Sequence, residues 1–140
     1  MGPPFSTPRI WLEPDHVFAV FRARDEFAAT VSAFRDIALT CLDKALLGAV
    51  CKLEGSLPAD TSGLRWGLAV LADEWTGSQM RLAFLCSGHA SANACQFAMA
   101  LSRNRGIESA TFSDMHKAVQ WVIGPGALAS ELALRDKLFG

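Results

Sequence analysis

Two short, nearly unbroken apolar runs, Leu46–Leu53 (LLGAVCKL) and Met80–Ser87 (MRLAFLCS), and a third short segment, Ile107–Phe112, are separated by stretches of helical periodicity. Runs too short for a helix and apolar on both faces are what a parallel sheet covered by helices requires. Parallel neighbours also need a crossover of about a dozen residues or more, and the intervening stretches supply it. From Thr61 the apolar positions Leu64, Leu68, Leu71 and Trp75 repeat at helical spacing until Thr76-Gly77. Ala94, Phe97, Ala98 and Leu101 do the same in ASANACQFAMALSRNRG, with Gly106 as the C-terminal cap.

The flanks extend this alternation. RIWLEPDHVFAVFRA reads as extended runs Ile10–Leu12 and Val17–Ala23 joined at Glu13-Pro14-Asp15, a hairpin. The clearest helix follows, with acids in its first turn and Phe27, Val31, Phe34, Ala38, Cys41, Leu42 and Ala45 expected inward. Downstream, Ser113 or Asp114 caps a short helix with Ala118, Val119 and Val122 inward, and Gly124-Pro125-Gly126 breaks it. ALASELALRDKLFG can form an amphipathic tail helix through Leu128, Leu132, Arg135 and Leu138. The order β-β-α-β-α-β-α-β-α plus tail predicts an α/β fold with a mixed, mostly parallel sheet of about five strands. Four helices and the tail helix complete it. The expected organisation is a loose leader over 1–8, one domain over 9–124 and a tail over 125–140.

With 140 residues, 51% hydrophobic and 19% charged, the chain can bury a core. A net charge of −1 offers no electrostatic case for nucleic acid. No apolar run reaches the roughly 18 residues of a membrane span. MGPPFSTPRIW lacks the charged and apolar regions of a signal peptide, so a cytoplasmic protein with no transmembrane segment is expected. Cys41, Cys51, Cys86 and Cys95 lack zinc-type spacing and sit in apolar patterns as buried thiols.

Enzyme signatures are weak: there is no glycine-rich phosphate loop and no G-x-S-x-G elbow. No cofactor and no metal are expected, and His16, His89 and His116 are scattered. CSGHAS (Cys86–Ser91) places a thiol, hydroxyls and His89 where a strand meets a helix. It reads as a polar loop with Ser87 or Ser91 as cap, and as a nucleophile–base pair only remotely. Arg103 and Arg105 end a helix, where positive charge complements the dipole.

PADTSGLRWGLAVL (Pro58–Leu71) is the most informative stretch. Asp60 can cap a helix from Thr61, and Thr61, Ser62 and Gly63 then fall in the first turn, where N–H groups are unpaired and negative charge is favoured. A phosphate on Ser62 is tolerated there, so the stretch reads either as a cap alone or as a switch. Trp66 lies off the Leu64–Leu68–Leu71 stripe beside Arg65, either as a contact residue or packed under the tail helix.

The element order from Ile10 to Ile123 and two short motifs resemble the STAS domain, the family of SpoIIAA-like anti-sigma factor antagonists. Asp60-Thr61-Ser62-Gly63-Leu64 is similar to the family's Asp-Ser-Ser-Gly-Leu, and the preceding loop, Leu53–Ala59, is of similar length. FAMALSRNRGIESATFSDMHKAVQWV, with Ala118, Trp121 and Val122, looks like the closing segment of STAS/Sec14-type bacterial proteins. Lys52, Pro58-Ala59 and Arg65 depart from the family pattern.

The resemblance implies a SpoIIAA-like STAS fold and a non-enzymatic module that docks to a protein partner. It makes Ser62 the serine phosphorylated by an anti-sigma factor kinase. The expected contact residues are Asp60, Thr61, Ser62, Gly63, Arg65 and Trp66. The alternative is a carrier of a small apolar or lipid-like ligand, in which the tail covers a pocket or a homodimer partner.

Overall fold

The computed structural model describes residues 7–23, 25–55 and 62–124. Its elements are β1 (Arg9–Leu12), β2 (Val17–Arg22), α1 (Phe27–Lys44), β3 (Gly48–Glu54), α2 (Ser62–Glu74), β4 (Arg81–Cys86), α3 (His89–Asn104) and β5 (Glu108–Phe112). A fourth helix, α4, is described over 115–124. The expected leader lies almost wholly, and the tail helix wholly, outside the described residues.

The five strands form one sheet in the order β1-β2-β3-β4-β5. β1 is antiparallel to β2, and every later neighbour is parallel, so the sheet is mixed and mostly parallel. Because each parallel strand lies beside its predecessor on the same side, right-handed crossovers stack all the connecting helices on one face. The main core agrees with this. It joins Val17, Ala19 and Phe21 of β2, Ala49, Cys51 and Leu53 of β3, and Leu82 and Phe84 of β4 to buried residues of α1, α2 and α3.

The alternate strand residues point to the opposite face, where Val50, Ala83 and Leu85 pack with Ala118 and Val122 of α4. Arg81 ties α4 to this face. Its Nη1 donates to the Trp121 carbonyl at 3.0 Å, and its guanidinium lies 5.2 Å from the Trp121 ring centre. Asp114 caps α4 by accepting the Lys117 N–H at 3.1 Å.

α1 differs from expectation at three inward positions. Its buried stripe is Thr30, Ala33, Phe34, Ile37, Ala38 and Cys41. Phe27, at the first helical position, is 50% exposed, and Leu42, one residue past Cys41 on the wheel, is 45% exposed. Ala45 lies outside the helix, in the left-handed conformation that ends it (φ 54°). The acids expected in the first turn precede the helix. α3 begins after Gly88 with no side-chain cap. Instead Ser91, fully buried, accepts the Ser87 N–H at 2.6 Å and ties the strand end to the helix. α3 ends as expected, with Gly106 at positive φ and Ile107 N–H bonded to the Ser102 carbonyl.

Candidate functional site

α2 begins at Ser62 and is the element after β3, on the side of that strand's C-terminal end, the end of a parallel sheet where ligands gather. Asp60 and Thr61 lie outside the described residues. Leu64, Leu68 and Leu71 point into the core. Gly63 and Gly67, four residues apart, are both buried and face α1. A Cβ on Gly63 would sit 3.1 Å from the Thr30 side chain, and one on Gly67 would enter the Phe34 ring. At Gly67 the two helices therefore close to a distance that only glycine permits, and at Gly63 they leave little room for a side chain. Trp75 Nε1 donates to the Ala38 carbonyl at 3.2 Å and fastens the far end of the seam.

With the sheet side and the α1 side of α2 assigned, the remaining face is decided. Ser62, Arg65 and Trp66 stand at i, i+3 and i+4, so they are neighbours on that outward face. All three are exposed, and Trp66 is 60% exposed. At about 100° per residue, two steps from Leu64 carry Trp66 to the side opposite the core. The Arg65 guanidinium lies 5.5 Å from the Phe97 ring centre of α3, a cation–π contact that orients it across the two helices. The structure thus brings together Ser62, Arg65 and Trp66 and turns Gly63 into the helix seam.

A cleft of about 180 Å³ opens beside Ser62, walled by Phe21, Phe27, Thr30 and Leu64 with Arg22 and Asp25 at its polar side. Its rim is braced by local bonds. The Arg22 N–H donates to Asp25 Oδ2 at 2.7 Å, and Arg22 Nε donates to Glu54 Oε2 at 2.8 Å. Lys52 Nζ lies 3.4 Å from Glu54 Oε1. The hydrogen bond from Arg22, with Lys52 alongside, holds the Glu54 carboxyl below its ordinary value.

The second polar cluster differs in character. His89 is exposed at the start of α3, and Ser91 is fully buried in its bond to Ser87. Cys86 is half-buried and Cys95 buried, and both are free thiols. Burial pushes Cys41 up to about 12 and drives Cys51 and Cys95 upward as well, so these thiols stay protonated at neutral pH. The histidines are dispersed: His16 in the β1–β2 hairpin, His89 opening α3, and His116 in α4. Among the described residues no group of three or more His, Cys, Asp or Glu side chains could hold a metal ion. None of their helices is long and apolar enough to cross a membrane.

Sequence reasoning missed two partners at the site. Phe97 was expected inward, yet it is half-buried under Arg65. Phe27, likewise expected inward, walls the cleft. The only available signal for either was the place of each residue on its helix wheel. In comparisons with known proteins, no family model matches the chain, and neither does any curated protein sequence.

Proposed function

We propose that the chain is a STAS-like regulatory module, of the anti-sigma factor antagonist type, that docks to a protein partner through the outward face of α2. Phosphorylation of Ser62 by an anti-sigma factor kinase controls that docking, and the module acts in the cytoplasm without catalysis of its own. The observation that carries this reading is the exposed Ser62–Arg65–Trp66 cluster at the start of α2. Trp and Arg are the residues that most often anchor protein interfaces, and here they flank an accessible hydroxyl. The resemblance of residues 60–64 to the STAS motif supports the same assignment.

The physics of a switch is available at that position. A phosphoserine carries about −1.5 to −2 charges at neutral pH. At Ser62 the charge meets the positive end of α2, so the fold accommodates it. Arg65, one turn on, is within reach to pair with it. A docking surface built on Trp66 and Arg65 is then altered in charge and hydration without unfolding.

The alternative, a carrier of a small apolar or lipid-like ligand, is less well supported by the cavities among the described residues. The cleft beside Ser62 measures about 180 Å³, and a second, bordered by Trp75, Met80 and Ile107, about 200 Å³. Small-molecule pockets span roughly 300–1,000 Å³. Native mass spectrometry of freshly purified protein distinguishes the two readings, since a co-purifying lipid mass favours the carrier.

Docking is tested by calorimetry against anti-sigma-type serine kinases with Trp66→Ala and Arg65→Ala. Each substitution is expected to weaken binding at least about tenfold, the loss typical of an interface anchor, with an unchanged melting temperature. Wild-type affinity in both variants would remove the α2 face from the interface.

A further inference from the structure

Among the described residues strand β1 is an edge of the sheet, unpaired on its outer side, and its hydrogen-bonding pattern can be read residue by residue. The Glu13 N–H donates to the His16 carbonyl at 2.9 Å, closing the hairpin. The register then pairs Leu12 with Val17, Trp11 with Phe18, Ile10 with Ala19 and Arg9 with Val20. Antiparallel pairs alternate between bonded and non-bonded types. Glu13, Trp11 and Arg9 therefore turn their backbone groups toward β2, and Ile10 and Leu12 turn theirs to the free edge. The next outward positions on either side are Pro8 and Pro14, which have no N–H. What remains is a two-residue window, with Ile10 36%, Trp11 42% and Leu12 56% exposed.

We propose that a second copy of this chain docks on that window, forming a two-fold β1–β1 pair with Trp11 on the axis. The stretch Arg9-Ile10-Trp11-Leu12-Glu13 is complementary to itself when run antiparallel. Ile10 meets Leu12 of the second copy, and each such pair exchanges both N–H···O bonds. Trp11 meets Trp11 of the second copy in the closer, non-bonded type of pair. Arg9 stands opposite Glu13 of the second copy on the Trp11 face, so opposite charges flank the tryptophans on both sides.

Charge selects the register. Sliding by two residues either way keeps the number of bonds, but it turns the Leu12 or Ile10 carbonyl toward a proline with no N–H and sets Arg9 or Glu13 opposite Trp11 instead of each other. Sliding by one sets inward-turned groups against outward ones. Charge complementarity and register select a second copy over an unrelated strand, and the contact is isologous, as a closed dimer requires. Proline and charge commonly blunt sheet edges. Here the prolines keep the pairing short and the Arg9–Glu13 charges favour one register, so the two sheets join without further growth. This contact is separate from the α2 face.

Sedimentation velocity of the full chain over a micromolar concentration series tests the pairing. The wild type is expected to run as a dimer. Arg9→Glu and Glu13→Arg should each weaken dimerisation at least about tenfold, because like charges then face each other. The double variant carrying both changes should recover it. Each single variant is expected to keep the wild-type circular dichroism spectrum and melting temperature, since neither substitution touches a backbone bond of the hairpin. Under mild oxidation Trp11→Cys should crosslink at residue 11, and Leu12→Cys should not. A monomer at all concentrations, a dimer indifferent to the charge swaps, or crosslinking at residue 12 instead of 11 would overturn the proposal.

Discussion

Gly67 holds α2 against α1, because any side chain there would occupy the Phe34 ring. The Phe34 ring cannot retreat, since it is fully buried and stacked 4.5 Å from Phe21. Gly67→Ala gains helix propensity, but the overpacking penalty of about 1–3 kcal/mol outweighs it. The expected outcome in urea denaturation is a lower midpoint with an unchanged slope. Trp66→Ala, on the outward face, should move the midpoint little. These two glycines also show a limit of sequence reading. Gly63 was legible as part of a helix-opening motif, whereas its place in a helix–helix seam depends on Thr30, a distant residue that no local pattern identifies.

Among the elements, α4 depends most visibly on its ends. It is held to the sheet by Arg81 and opened by Asp114. The Lys117 N–H bonded to the Asp114 carboxylate, with the neighbouring His116 N–H, holds that carboxyl below its ordinary value. A carboxyl depressed on folding contributes stability that is present above its unfolded value, about 3.9 for aspartate. That contribution is lost as pH falls through the folded value. Asp114→Ala should therefore lower the melting temperature at neutral pH, and the difference should disappear in strongly acidic buffer. A penalty that persists in acid would assign the effect to something other than the ionised cap.

The elements themselves were largely legible, because apolar runs such as 80–87 and spaced leucines such as Leu64, Leu68 and Leu71 report burial directly. α1 was misjudged at its ends. Phe27 and Leu42 carry the right chemistry for a core, but they sit where the helix has not reached, or has turned away from, the sheet. Hydrophobicity marks what can be buried, and only the crossing of α1 over β2 decides what is.

Consecutive strand order sends three helices to one face and leaves the other to α4. The same order sets the start of α2 at the carboxyl end of the sheet, with Ser62 and Trp66 outward and the β1 edge on the far side of β2. The two proposed surfaces follow from one topology: a face on α2 offered to a different protein and an edge on β1 offered to a second copy. The α/β class was legible from alternating periodicities. The outward face of α2 was legible in part, through the stripe that excludes Trp66, while the Arg65–Phe97 contact required α3 to be placed beside α2.

On the proposed reading, a kinase partner controls the docking face through Ser62. The decisive measurement is to incubate the full chain with ATP and an anti-sigma-type serine kinase and to map the product by peptide mass spectrometry. The account expects one phosphate, on Ser62, with docking lost as it accumulates. Phosphate on another residue, an unmodified chain beside a kinase that binds it, or docking undiminished by complete modification of Ser62 would contradict the account.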